Sequence, residues 1–287
     1  MNTWVKYTDD FNKAYPDTEI TLLSVLSKRF KEETVVQMLI AAKKIPSMEN
    51  LAVKIQAEQT KLWLSAGKSP ADVFALLRLN YMYEGNTLFS SPLFIAWVKY
   101  TEEYRMINFG SEFTIIGSMK KYFNMEILAT MILNASKKTS TSSIAKRLET
   151  ELLREWSITL QTPGQVFTSL HLPARYSLLE HPLFPLWSKY VTYFSEVEPS
   201  FKVTLLSQLR KIFGESNLSK VLVRAQKVPK TKQIATELLD EQLSVWLSQL
   251  KDPVAVYKLL RVEGAATNDA NRLLYVKYVK DYVYGAE

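Results

Sequence analysis

Trp97-Val98-Lys99-Tyr100 repeats Trp4-Val5-Lys6-Tyr7 and returns once more as Trp187-Ser188-Lys189-Tyr190. A second tryptophan follows each start at a distance of 59 residues, as Trp63, Trp156 and Trp246, and these positions account for all six tryptophans of the 287-residue chain. Self-similarity at a long fixed period is the mark of a tandem-repeat architecture. Between the two tryptophans the register holds without a gap. Phe30, Phe123 and Phe213 recur 26 residues after the first Trp, then Leu39, Ile132 and Leu222, Ala42, Ala135 and Ala225, and Ala52, Ala145 and Ala235. Pro70, Pro163 and Pro253 follow the second Trp. Length varies only after Leu79, Leu172 and Val262, so the connector to the next start is the tolerant loop. A fourth start reads Tyr275-Val276-Lys277-Tyr278.

Within a copy the apolar residues keep helical spacing, as in Trp97, Tyr100 and Tyr104 or Ile144, Ala145, Leu148, Leu152 and Trp156, and no period-two alternation is present. Ser69-Pro70, Thr162-Pro163 and Asp252-Pro253 each place a capping oxygen before a proline at the first helical position. The first copy is expected to hold helices near 4–15, 18–30, 32–44, 47–65 and 69–79. The fold expected is all-α: an elongated rod of three five-helix repeats, at 1–96, 97–186 and 187–274, with a capping helix or fourth repeat start at 275–287. Neighbouring repeats must share a core, because a short helical unit cannot bury both faces alone. The expected core positions are Trp97, Trp187, Phe30, Phe123 and Phe213, with Trp63 against Tyr100, Trp156 against Tyr190 and Trp246 against Tyr278.

Composition narrows the chemistry. With no cysteine, disulfides, thiolate metal sites and a cysteine nucleophile are excluded, and two histidines, His171 and His181, cannot build a histidine-rich metal centre. Neither a metal nor a cofactor is expected. No window reaches the run of about 18 apolar residues that a membrane-spanning helix needs. Every apolar stripe is claimed by the repeat, so a surface-bound membrane helix is not expected.

The tryptophan closing the fourth helix, the Ser-Pro-x-x-Val-Phe-x-x-Leu start from Ser69 to Leu77, and the Trp-x-x-Tyr helix entering the next copy resemble the W and Y motifs of oomycete RXLR effectors. The stretch from Leu22 to Leu39 is similar to their L motif, so the chain resembles the tandem LWY repeat of Phytophthora effectors over three rounds. The third round departs from the pattern with Tyr257 for Phe, no proline matching Pro92 and Pro182, and Tyr275 in place of Trp. The resemblance implies a protein secreted by the pathogen and translocated into the plant cell, its RXLR leader absent from this sequence. It implies no catalysis, and action by binding host proteins to suppress immunity. Some effectors of this kind bind the scaffold subunit of protein phosphatase 2A and redirect the core enzyme; others bind autophagy proteins or kinases. A monomer is expected.

Other readings rank lower. The acidic pairs Asp9-Asp10, Glu32-Glu33 and Glu102-Glu103 are read as solvent faces of amphipathic helices, so no enzyme is expected. The formal net charge is +7, and from residue 187 onward 15 Lys and Arg stand against 11 Asp and Glu. Lys220, Arg224 and Lys227 make a stripe on one helix, extended by Lys230 and Lys232. This is a candidate partner surface, or at lower rank a nucleic-acid face, against the plain reading of a solvated stripe. Phe194-Ser195-Glu196-Val197 fits the loose aromatic-x-x-aliphatic pattern of autophagy-receptor ligands, but Phe194 aligns with Phe11 and Tyr104 on the face assigned to the core.

Overall fold

The computed structural model describes residues 2–16, 20–82, 87–108 and 113–284, and the side chains of Asn2, Trp4, Val5 and Asp9 lie outside the description. The expectations resting on Trp4, on Asp9 and on the tail 285–287 therefore fall outside the described residues. Among those described there are sixteen α-helices and no strand. One five-helix order is written three times. The first copy holds α1 (Asn2–Ala14), α2 (Leu22–Arg29), α3 (Glu32–Ala42), α4 (Glu49–Ser65) and α5 (Pro70–Leu76). The second holds α6 (Pro92–Ile107), α7 (Ile115–Met119), α8 (Met125–Ser136), α9 (Ser142–Ile158) and α10 (Pro163–Ser169). The third holds α11 (Phe184–Val197), α12 (Leu205–Phe213), α13 (Glu215–Gln226), α14 (Lys232–Ser248) and α15 (Pro253–Leu260), and α16 (Ala270–Tyr284) follows in the register of the opening helices.

Repeated capping chemistry sets the boundaries. Thr21, Thr114 and Thr204 occupy equivalent places, each in extended backbone, and each hydroxyl accepts the N–H three residues on, at Ser24, Gly117 and Ser207. This is why α2 starts at Leu22 and not at the expected 18. Ser24 and Ser207 return a bond to the cap and complete a capping box. In the second copy a Cβ on Gly117 would lie 2.7 Å from Thr114 Oγ1, and Glu155 reaches the cap instead, accepting from the Thr114 hydroxyl at 3.2 Å. At the other end Arg78, His171 and Arg261 all take left-handed backbone, so α5 stops at Leu76, short of the expected 79.

Gly67, Leu160 and Leu250 form a second set of left-handed residues, each four positions after a repeat tryptophan. Glycine accepts this conformation without steric cost, whereas Leu160 and Leu250 hold it with side chains that are 76% and 73% exposed.

Two compact units emerge, Met1–Glu155 and Trp156–Glu287. The division falls inside α9, immediately before its tryptophan, and is offset from the sequence repeats at 97 and 187. In the first unit Leu23, Val35, Leu39, Ala52 and Ile55 form one core cluster of α2, α3 and α4. In the second, Leu243, Trp246, Val256, Leu260 and Tyr278 form a cluster of α14, α15 and α16.

One core expectation is corrected. Phe123 is buried and Phe213 half-buried, but Phe30 is 40% exposed. Phe123 lies across Phe74 of the preceding repeat, with ring centroids 6.0 Å apart, while Phe30 closes α2 in extended backbone.

Candidate partner-binding surface

Any surface on this chain is carried by the joints between successive copies, so the joints come first. At the first, Trp63 of α4 meets Tyr100 of α6 edge-on with centroids 5.4 Å apart, and Phe74 of α5 meets Trp97 at 4.8 Å. The Trp97 indole N–H donates to the Pro70 carbonyl at 2.7 Å, and the Tyr100 hydroxyl donates to the Lys68 carbonyl at 2.6 Å. The second joint copies this. Trp156 and Tyr190 lie 5.1 Å apart, Phe167 and Trp187 5.2 Å apart, the Trp187 indole donates to the Pro163 carbonyl at 2.8 Å, and the Tyr190 hydroxyl donates to the Gln161 carbonyl.

A buried aromatic with a polar tip needs a partner for that tip; for each tyrosine it is the loop carbonyl just ahead of the fifth helix's cap, and for each tryptophan the carbonyl of the proline that opens that helix. The bond therefore fixes the loop as well as the ring. Burial pushes the Tyr100 and Tyr190 hydroxyls far above the usual phenol range, so both remain donors at any ordinary pH.

The third joint keeps only part of the set. Trp246 and Tyr278 are separated by 6.3 Å, and Tyr278 donates to the Lys251 carbonyl. Tyr275 faces Tyr257 at 5.2 Å but has no indole N–H to offer the Pro253 position. The Trp246 indole instead donates to Glu215 Oε1 at 3.3 Å. Lys251 reaches Glu215 Oε2 at 2.6 Å, and Arg210 pairs with the same carboxylate. Burial, then the neighbouring Arg210 charge, lowers the Lys251 pKa.

Each copy has its own polar link at this level. Glu155 binds Lys120 at 3.0 Å in the second, and Gln59 donates to Glu32 at 2.9 Å in the first. Gln59, Leu152 and Gln242 are equivalent and all buried, and the two glutamines each leave one amide atom without a partner, Oε1 of Gln59 and Nε2 of Gln242.

The helix surfaces differ where the joints agree. On α13 Lys220 is half-buried, Arg224 and Lys227 are exposed, and the Arg224 guanidinium lies 5.4 Å over the ring of Tyr176 in the α10–α11 connector. The equivalent residues are Thr130, Asn134 and Lys137 on α8 and Gln37, Ala41 and Lys44 on α3. The basic stripe thus belongs to the third copy alone. Phe194 is buried between Tyr190 and Phe201, at 6.0 and 5.6 Å, so it is held in the core. The acidic residues have structural partners: Glu33 faces Arg78 at 3.9 Å, Glu102 binds Arg147 at 2.7 Å and Glu103 faces Lys99 at 3.9 Å.

Residues 58–101, the span of the first joint, match the family described as Effector PexRD54, WY-domain. The chain is 34% identical over 98% of its length to the RxLR effector protein PSR2 of Phytophthora sojae, covering 43% of that protein. It is also 34% identical over 92% of its length to an RxLR effector protein PSR2 of Phytophthora infestans, covering 34% of it. The chain thus spans less than half the length of these relatives. The crystal structure of PcRxLR12 superposes on the whole chain with a TM-score of 0.72 and 28% identity, the match covering 70% of that structure. RXLR effectors are secreted by Phytophthora and translocated into host cells. With three copies of one five-helix order and the tryptophan–tyrosine joint at every junction, the chain belongs to the Phytophthora RXLR effectors of the WY/LWY repeat family.

Proposed function

We propose that this chain is a non-catalytic scaffold that binds a host plant protein to suppress immunity, through a surface centred on α13 and the α10–α11 connector. One observation carries the reading: equivalent joint residues at the first two joints make equivalent bonds, while equivalent surface residues differ, as Lys220 and Arg224 differ from Thr130 and Asn134 beside a lysine common to both copies. The tryptophan–tyrosine contact and the tyrosine–loop bond common to the joints fix the relative placement of helices within a unit, so a surface mounted on them needs no ordering on binding. Tyr176 belongs to the second repeat and Arg224 to the third, so their contact joins two repeats within one compact unit.

The named target follows from the resemblance of the repeats to effectors that bind the scaffold subunit of protein phosphatase 2A, whose core enzyme this chain would then recruit. The test is binding of the intact chain to the purified scaffold subunit, measured by calorimetry. The parent should bind, and the triple reversal K220E/R224E/K227E should weaken binding by about tenfold or more, as loss of an interface charge cluster does. Absence of binding by the parent removes the named target and leaves an autophagy protein or a kinase as the alternative. Equal binding by the reversal variant removes the stripe.

A further inference from the structure

We infer that the partner presents an acidic helix to the stripe on α13, its carboxylates meeting Lys220, Arg224 and Lys227 in register. The inference deepens the partner-surface reading above and rests on it. Between Glu215 and Glu237 the chain carries five basic residues, Lys220, Arg224, Lys227, Lys230 and Lys232, and no Asp or Glu. The equivalent span of the second copy holds Lys137, Lys138 and Lys146 beside Glu126, and that of the first holds Lys43 and Lys44 beside Glu33 and Glu49. Several other cations reach carboxylates of the chain, as Arg78 does Glu33, Arg147 does Glu102 and Lys277 does Asp240. Among the described residues no carboxylate pairs with any of the five.

Arg224 has an aromatic ring in place of a carboxylate. Its guanidinium lies 5.4 Å over Tyr176, which is itself 45% exposed, so the stack stands at the surface. A guanidinium held flat on a ring keeps its edge of N–H donors free and in one plane, the geometry that takes a carboxylate through two parallel bonds. Tyr176 is therefore a positioning residue, and Arg224 the group that makes the contact.

Residues at i, i+4 and i+7 rise about 10 Å along one face of α13. A partner helix laid beside it has the same rows of side chains, so carboxylates at its own i, i+4 and i+7 positions meet the three cations together. A nucleic acid is the poorer occupant. α13 is packed against α12, α14 and α15 with Leu218, Val221, Leu222 and Ala225 buried, so only its outer stripe is offered and the helix cannot enter a groove. The ring face of Tyr176 under Arg224 is likewise closed to a stacking base.

The probe is an alanine-based peptide of about 18 residues, long enough to hold a helix in water, with glutamates at i, i+4 and i+7. Titrated into the isotope-labelled full chain at about 20 mM ionic strength, it should shift the NMR signals of the α13 backbone and the Arg224 side chain with a Kd of about 0.1–1 mM, weakening severalfold at about 150 mM. The same peptide with glutamine for glutamate should not bind. Arg224→Lys and Tyr176→Ala should each weaken binding by about two- to fivefold at an unchanged Tm, because both side chains are exposed, whereas Tyr176→Phe should bind as the parent does. Undetectable binding at about 5 mM peptide, equal binding of the glutamine peptide, or equal binding by K220E/R224E/K227E overturns the inference. Saturable binding of a duplex DNA by the same signals, with none of the peptide, overturns it too and assigns the stripe to a phosphate backbone. A chain that takes the peptide but not the phosphatase scaffold subunit loses only the named target, and one that binds that subunit but not the peptide loses only the acidic helix.

Discussion

The second and third joints perform the same task with different parts. At the second, a fully buried Trp187 ties the opening helix to the Pro163 carbonyl, Phe167 supports its ring, and Trp156 sits 5.1 Å from Tyr190. At the third, Tyr275 and Tyr257 replace Trp and Phe, the Trp246–Tyr278 distance widens to 6.3 Å, and Glu215 collects Trp246, Lys251 and Arg210. Two features survive the change: the tryptophan–tyrosine edge contact and the tyrosine hydroxyl on the loop carbonyl. Those two are the minimum from which a joint can be made. The indole–proline bond is an addition, and a carboxylate network can stand beside its absence.

Deleting the shared element should have the largest effect. Trp156→Ala should cost about 3–5 kcal/mol, read as a lowered Tm and denaturant midpoint, and Trp246→Ala should fall at the lower end of that range because its ring stands farther from the tyrosine it faces, 6.3 Å against 5.1 Å. If Trp246→Ala proves the more damaging, the carboxylate network outweighs the aromatic pair. Trp187→Tyr makes the second joint resemble the third, and loss of a buried indole bond should cost about 1–2 kcal/mol. Tyr275→Phe at the third joint should change the midpoint by less than about 0.5 kcal/mol, since Tyr275 is only half-buried. Equal losses from the two would mean that the Pro163 bond adds nothing.

The smallest effect concerns pH. Asp72 accepts from the Ser69 hydroxyl at 2.7 Å and from the Ser69 N–H at 2.8 Å, and these bonds, the hydroxyl first, hold its carboxyl below the ordinary value of 3.8. A carboxylate whose folded pKa is depressed contributes stability that is present above its unfolded pKa and lost as pH falls through the folded one. The second joint has the neutral Gln165 in this place. Asp72→Asn should flatten the acid limb of the stability curve below pH 3.8, by under about 1 kcal/mol at neutral pH, whereas Gln165→Asn should leave the limb unchanged.

The aromatic frame was readable because its signals are local and periodic. Tryptophan spacing placed the joints, the Ser69-Pro70 type of pair placed the fifth helix, and the structure has Trp63 against Tyr100, Trp156 against Tyr190 and Trp246 against Tyr278. Phe30 misled because a periodic position predicts burial only where a neighbouring ring such as Phe74 is present to cover it. Leu160 and Leu250 gave no warning of left-handed backbone, since the usual signal is a glycine and only the first copy has one, Gly67. The Glu215 network joins residues 31 and 36 positions apart, which no helical spacing relates. For the candidate surface, Lys220, Arg224 and Lys227 were legible as an i, i+4, i+7 stripe. Tyr176 was not, because it lies in the connector whose length the repeat leaves free.

The hydroxyl-to-loop bonds of Tyr100, Tyr190 and Tyr278 close over 32, 29 and 27 residues. Short closures form quickly, and folding rate follows the sequence separation of native contacts more than total length. A chain organised this way can complete each joint once the opening helix of the following copy has left the ribosome, with no need to wait for the copies after it. A ribosome-stalling series should therefore show protease protection of Trp63 before the second copy is synthesised in full, and adding copies should not slow assembly in proportion to their number.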